Sequence, residues 1–292
     1  TPSPTPTPAP VAFSAQTRAA TQGAALEQLN LMGSSGYCFV TDGTAVSLLN
    51  TQSFSLYYLD PAATSAPALQ YAIAPAAKLV SDWVVQANSL GSLGYNYKGA
   101  FSVGGVAGDM FVKYATTTDV FIYRGVGISV GSTVDQFLEQ LNASGSSGYR
   151  WAGPMSIASG GVHIFETKLG STEKFTYAAE GVASDFSTRM AILNRYGSQG
   201  AQSLGIYSIG GKSYEVFETR TGQSGAISYT AEQVAATEST ADVQTAVNAQ
   251  AANGWLYWDT TTVVINQVSQ RVRIYSQGET YRVNPTYGVW LP

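Results

Sequence analysis

The apolar residues Val134, Phe137, Leu138 and Leu141 fall three and four positions apart and draw one stripe along a predicted helix. Thr133 and Gln136 fit a capping box at its start, with Ser132 as a second N-cap candidate. Gly145, just past Asn142, fits the left-handed residue that ends a helix at low cost. Val80, Trp83, Val84 and Ala87 draw the same stripe, with Gly91 as the stop. Looser versions hold Leu26 and Leu29, then Phe186, Met190 and Leu193, then Val243 and Val247.

Around each helix the pattern turns from helical to extended. Strands are predicted after the helices at 37–40, 95–103, 149–157, 202–209 and 255–259. A second strand follows, clearest where Ile164, Phe165, Glu166, Thr167 and Lys168 match Val216, Phe217, Glu218, Thr219 and Arg220. Gly160-Gly161 and Gly210-Gly211 precede these runs and predict hairpin turns. A third strand, marked by Phe13, Tyr71, Tyr123, Tyr177 or Tyr229, lies upstream of each helix.

An asparagine and a glycine hold this order in place at Asn30/Gly36, Asn88/Gly94, Asn142/Gly148, Asn194/Gly200 and Asn248/Gly254. Successive asparagines lie 58, 54, 52 and 54 residues apart, so the chain reads as copies of one small unit. The asparagine itself reads as a polar residue near a helix C-terminus. The expected fold is α+β: five tandem βαββ repeats with antiparallel sheets, helices on one face, and an extra C-terminal strand. The divisions fall at 1–11 for a Pro/Thr-rich tail, 12–67 for repeat one with a linker, and 68–118, 119–172, 173–224 and 225–278 for repeats two to five; a last strand and tail occupy 279–292. A unit of about 50 residues buries too little apolar surface to be secure alone, so neighbouring units are expected to pack together.

The run Leu29-Asn30-Leu31-Met32-Gly33-Ser34-Ser35-Gly36-Tyr37, echoed by Leu141-Asn142-Ala143-Ser144-Gly145-Ser146-Ser147-Gly148-Tyr149, resembles a motif of a family of small uncharacterised bacterial domains. Those domains have an aromatic first strand, a helix ending in this pattern, and a hairpin. Ala251 and Ala201 depart from it in units five and four, leaving the helix stop and the strand start there less defined. The family has no assigned chemistry, so the resemblance implies a fold and nothing more.

Charged residues make up 12% of the chain, against about 25% in ordinary soluble proteins. With 18 Tyr and 30 Gly, this composition suits a secreted or cell-surface bacterial protein, and sparse charge suits self-association. A net charge of −4 without a basic cluster argues against nucleic acid. The alternating Thr and Pro of residues 1–10 suit a polyproline-type tether, with a signal segment already absent and a lipid or cell-wall anchor ahead of it. No membrane span is expected.

Candidate chemistry is sparse. Cys38 is the only cysteine and His163 the only histidine, so neither an internal disulfide nor a zinc set of usual size can form. Cys38 reads as a buried inert thiol, and His163 as facing outward or lining a contact between units. Glu166, Glu180, Glu218 and Glu232 recur as matched strand-surface positions rather than as a catalytic carboxylate pair. No catalytic, metal or cofactor residue is assigned.

The leading expectation is a non-enzymatic extracellular structural protein that assembles with itself as a filament or surface-layer subunit. A repeat array leaves strand edges open at its ends, and such edges recruit further strands. Interface candidates are Pro4, Pro6, Pro8, Val11 and Phe13 at one end and Tyr281, Val289, Trp290 and Leu291 at the other. The alternative is a monomeric surface-anchored module binding glycan or protein through Tyr95, Tyr97, Trp151, Trp255 and Trp258.

Overall fold

A computed structural model of the chain describes residues 12–47, 50–59, 68–129, 131–158, 160–183, 185–223, 225–265 and 268–278. Among these residues five helices and five small antiparallel sheets follow one another in sequence order. Set one holds β1 (Ala12–Thr17), α1 (Gln22–Ser34), β2 (Cys38–Val46) and β3 (Thr51–Leu59). Set two holds β4 (Leu69–Pro75), α2 (Val80–Ser92), β5 (Asn96–Val103) and β6 (Val106–Tyr114). Set three holds β7 (Phe121–Gly127), α3 (Val134–Ser146), β8 (Arg150–Ile157) and β9 (Gly160–Lys168). Set four holds β10 (Phe175–Gly181), α4 (Phe186–Gly197), β11 (Gln202–Ile209) and β12 (Lys212–Arg220). Set five holds β13 (Ser228–Gln233), α5 (Thr240–Ala251), β14 (Leu256–Ile265) and β15 (Val268–Gln277).

In every sheet the last strand lies in the middle and pairs antiparallel with both others. The second strand of each set carries one extra residue at a register shift: Val40, Lys98, Ala152, Leu204 or Trp258. Such bulges add local twist and bend the strand. The expected turn at Gly210-Gly211 is present, with both residues at positive φ, as a two-residue hairpin loop requires. Gly160 and Gly161 are different, since they lie inside β9 opposite Ile157 and Ser156.

The capping box of α3 is present: Gln136 N donates to Thr133 Oγ1 at 3.3 Å and Thr133 N donates to Gln136 Oε1 at 3.0 Å. The helices nevertheless run past their asparagines. Gly145, expected as the stop of α3, lies inside the helix, and the left-handed residue is Gly148 at φ 83°.

Gly145 serves a different need. A methyl group there would strike the carbonyl oxygen of Phe175 in set four. Gly33, Gly91 and Gly197 face the carbonyls of Leu69, Phe121 and Ile227 in the same way. The small residue lets these four helices approach the first strand of the next set. Accordingly α1 packs on β4, α2 on β7, α3 on β10 and α4 on β13, while α5 packs on β1 and closes the circle.

The recurring asparagine is the clasp of this contact. Asn30 accepts from Tyr71 N at 2.9 Å and donates to Tyr71 O at 3.3 Å, filling both outward backbone groups of an edge strand. Asn88 does the same for Tyr123, Asn142 for Tyr177 and Asn194 for Tyr229. Asn248 holds Phe13 at 2.7 and 2.9 Å across the closure. Each tyrosine also reaches back: the hydroxyls of Tyr71, Tyr123, Tyr177 and Tyr229 accept from Phe39, Tyr97, Trp151 and Ser203 N at 2.7–3.0 Å. These residues immediately precede the bulges.

The strand edge expected to be open at the start of the array is therefore occupied. Phe13, an interface candidate, is 2% exposed and held by the chain's own α5. Pro4, Pro6, Pro8, Val11, Tyr281, Val289, Trp290 and Leu291, with the extra strand around Tyr281, lie outside the described residues. Among the described residues no helix is long and apolar enough to cross a membrane.

Candidate functional site

Three places gather polar chemistry. The first is a buried chain of contacts linking sets two, three and four. Asn96 donates to Glu166 at 2.8 Å, Arg150 binds Glu218 through Nε at 2.9 and 3.1 Å, and Tyr177 donates to Glu218 at 3.0 Å. Arg150 also lies 3.9 Å from Glu166. Glu166 and Glu218 were expected on strand surfaces but are buried, because the inner sheet faces of successive sets meet here.

Burial pushes the Glu166 carboxyl up to about 7, opposed by Arg150 and by the Asn96 hydrogen bond. Burial lowers Lys98 and raises the Cys38 thiol, each of which senses the other's charge. A cavity of about 10 Å³ beside Arg150 and Glu166 has room for one water molecule but not for a substrate. Among the described residues no three His, Cys, Asp or Glu side chains gather as metal ligands would.

The second place is a cleft of about 300 Å³ where set five meets set one. Asp42, Glu238, Asp259, Arg271, Arg273 and a row of threonines line it. Most of its charges are spent within the protein. Arg273 binds Glu232 at 2.8 Å and Glu238 at 3.0 and 2.8 Å, while Arg18 pairs with Asp42 at 2.6 Å. Ser55 donates to Asp42 at 2.7 Å, and Tyr257 to Thr260 at 3.1 Å.

The third is a cleft of about 270 Å³ between sets three and four. Phe137, Trp151, Pro154, His163, Tyr207 and Ile209 form its apolar wall, and among the described residues no Asp, Glu, Lys or Arg lines it. Helix α3 supplies Phe137, the start of β8 supplies Trp151, and β9 places His163 opposite Pro154. His163 stands edge-on to Phe137 at 5.2 Å and to Trp151 at 5.8 Å, and Tyr207 comes across from β11 to lie 4.8 Å from Trp151.

Two polar atoms in this wall are left over. Trp151 Nε1 and His163 Nδ1 are buried and have no hydrogen-bond partner among the described residues. Each unmet group costs roughly 1–3 kcal/mol, so the site is built at the expense of stability. Burial lowers His163 to about 4, which keeps the imidazole neutral near pH 7.

His163 thus lines a contact between sets, one of its two expected placements, and does not face solvent. Tyr97 and Trp151, offered as exposed binding aromatics, are 5% and 2% exposed and belong to the core. Tyr95, Trp255 and Trp258 are half-buried. Nothing in the sequence brings His163, Trp151 and Tyr207 together, because the cleft depends on how β11 of one set meets β8 and β9 of another. Comparison of the chain with protein-family models, with curated proteins and with solved structures finds no match.

Proposed function

We propose that the five sets are copies of one tandem βαββ unit and that the closed circle is a non-enzymatic binding module of a secreted or cell-surface protein. The observation that carries this reading is the cleft between sets three and four, with two unpaired polar atoms, Trp151 Nε1 and His163 Nδ1, in an uncharged aromatic wall. A pocket that is mostly apolar with a few unmet polar groups suits a small neutral ligand. The indole N–H donates a hydrogen bond, and the neutral imidazole fixes a second point. The Glu166 and Arg150 network acts as mortar between sets, since the space beside it admits no substrate.

The test is nuclear magnetic resonance of the indole N–H groups during titration with N-methylpyrrolidone, phenol and cyclohexanol. A saturable shift of the Trp151 signal, absent in Trp151→Phe, is expected with at least one probe. Unsaturable or uniform shifts with all three would sink the reading.

Self-assembly as a filament or layer is a second reading, favoured by the 12% charge content. Its route must differ from pairing of open array ends, because α5 and Asn248 already cover β1.

A further inference from the structure

We propose that the cleft between sets three and four receives residues 1–10 of a second copy of this chain, docked as a polyproline-type peptide. This rests on the binding-module reading and names the partner.

The chemistry matches on three counts. Pro2, Pro4, Pro6, Pro8 and Pro10 alternate with Thr, Ser or Ala, so the segment favours an extended left-handed helix that loses little entropy on docking. Proline rings stack on flat aromatic walls, and the carbonyls of such a helix have no internal partner, so they accept from groups such as the Trp151 indole N–H. Apart from any charge at its first amine, residues 1–10 carry none, and the named cleft wall carries none either.

The order of sets argues for a second copy. The segment leads into β1 of set one, whose neighbours in the circle are sets two and five. The cleft lies between sets three and four, the junction opposite set one in the circle. Trp151 Nε1 and His163 Nδ1 are covered, and the Tyr207 ring lies over Trp151, so docking turns Tyr207 aside and exchanges an aromatic contact for a prolyl one. One tail and one cleft at different places on each copy make a heterologous contact, which closes into a ring or propagates as an open chain.

The experiment uses the full 292-residue chain and a full-length variant carrying Pro2→Ser, Pro4→Ser, Pro6→Ser and Pro8→Ser. A synthetic acetylated peptide of residues 1–10 is titrated into that variant while the Trp151 indole signal is followed, with a serine-substituted peptide as control. A saturable shift is expected for the proline peptide, at least tenfold weaker for the control. In sedimentation velocity the natural chain should form concentration-dependent larger species, and the proline-to-serine variant should remain monomeric. His163→Phe, checked for native circular dichroism, should weaken peptide binding several-fold and guards against a Trp151 variant that fails to fold.

If N-methylpyrrolidone binds but the peptide does not, this inference falls while the binding module stands. If neither the peptide nor any of N-methylpyrrolidone, phenol and cyclohexanol binds, both fall. Peptide binding by the variant, together with a natural chain that stays monomeric at millimolar concentration and resists the added peptide, would place the segment in its own cleft and overturn the second-copy claim.

Discussion

The cleft between sets three and four and the cleft between sets five and one occupy the same place in the repeating frame, yet their side chains are spent in opposite ways. His163 stands where Arg273 stands, Phe137 where Val243 does, Trp151 where Tyr257 does, and Pro154 where Thr260 does. In the first, two polar atoms are left unpaired among aromatics. In the second, Arg273 satisfies two carboxylates of its own chain. One shared backbone frame thus makes either an opening for a partner or a rivet. The rivet sits at the one junction whose two sets are not consecutive in the chain. There Ala15 N also donates to Gln244 Oε1 at 2.9 Å and Glu238 N to Val46 O at 2.7 Å, while Phe13 lacks the hydroxyl that the four tyrosines use.

The sharpest break of the comparison exchanges charge for bulk at the matched position. Arg273→Met strands Glu232 and Glu238, and losing one partner of a buried ion pair costs about 3–5 kcal/mol. His163→Phe removes a buried nitrogen whose unmet hydrogen bond costs roughly 1–3 kcal/mol, so it should leave stability unchanged or raise it. Urea denaturation of both variants checks this, and equal losses would remove the distinction between rivet and opening.

The approach of helix to strand should separate the junctions next. Gly145→Ala places a methyl group against the Phe175 carbonyl and should cost about 3 kcal/mol through overpacking. At the closure the matching residue is already Ala251, and Ala251→Gly should cost only about 1 kcal/mol of helix propensity. Thermal unfolding that ranks them the other way would show that close approach does not set the glycine.

Much of this fold was legible in the chain and little of the cleft was. The stripe through Phe137 and Leu141 and the box of Thr133 and Gln136 are local, with periods and spacings fixed by a single helix. Gly145 was misread because a close-approach glycine and a capping glycine look alike until the neighbouring carbonyl is in view. Asn142 looked like a helix-end residue for the same reason, since its partner Tyr177 belongs to the next set. Glu166 and Glu218 alternate as surface residues do, and only the meeting of three sheets buries them. Closure is invisible in the sequence: Phe13 and Asn248 lie at opposite ends of the array and are matched by no local signal.

The clasp offers a smaller contrast. Asn142→Ala and Asn248→Ala each remove two hydrogen bonds to a strand edge, about 2 kcal/mol in either case. Their dynamic consequences should differ, because sets three and four are consecutive in the chain whereas sets five and one are not. Hydrogen exchange at the Phe13 and Ala15 amides should accelerate strongly in Asn248→Ala, while the Tyr177 amide in Asn142→Ala should speed up less. Equal acceleration would mean that the closure is no weaker than the other junctions.

The smallest expected effect concerns pH, because His163 titrates in the range where Arg273 does not. The folded imidazole is held at about 4 by burial, against about 6.5 in the unfolded chain. Its contribution is therefore complete above pH 6.5 and is lost as pH falls toward 4, since only the unfolded state takes up the proton in that window. Glu166 and Asp109 act in the opposite sense. Burial raises them to about 7 and about 6, so the folded state binds their protons more readily and their contributions grow as pH falls. The natural chain reports the sum, and the histidine is isolated by subtracting His163→Phe, which leaves both carboxylates in place. Between pH 7 and pH 6 the natural chain should lose less than about 1 kcal/mol relative to the variant, with the gap widening toward pH 5. Parallel pH dependences in urea denaturation would mean that His163 is not held neutral, and that the cleft is a more polar opening than its aromatic wall suggests.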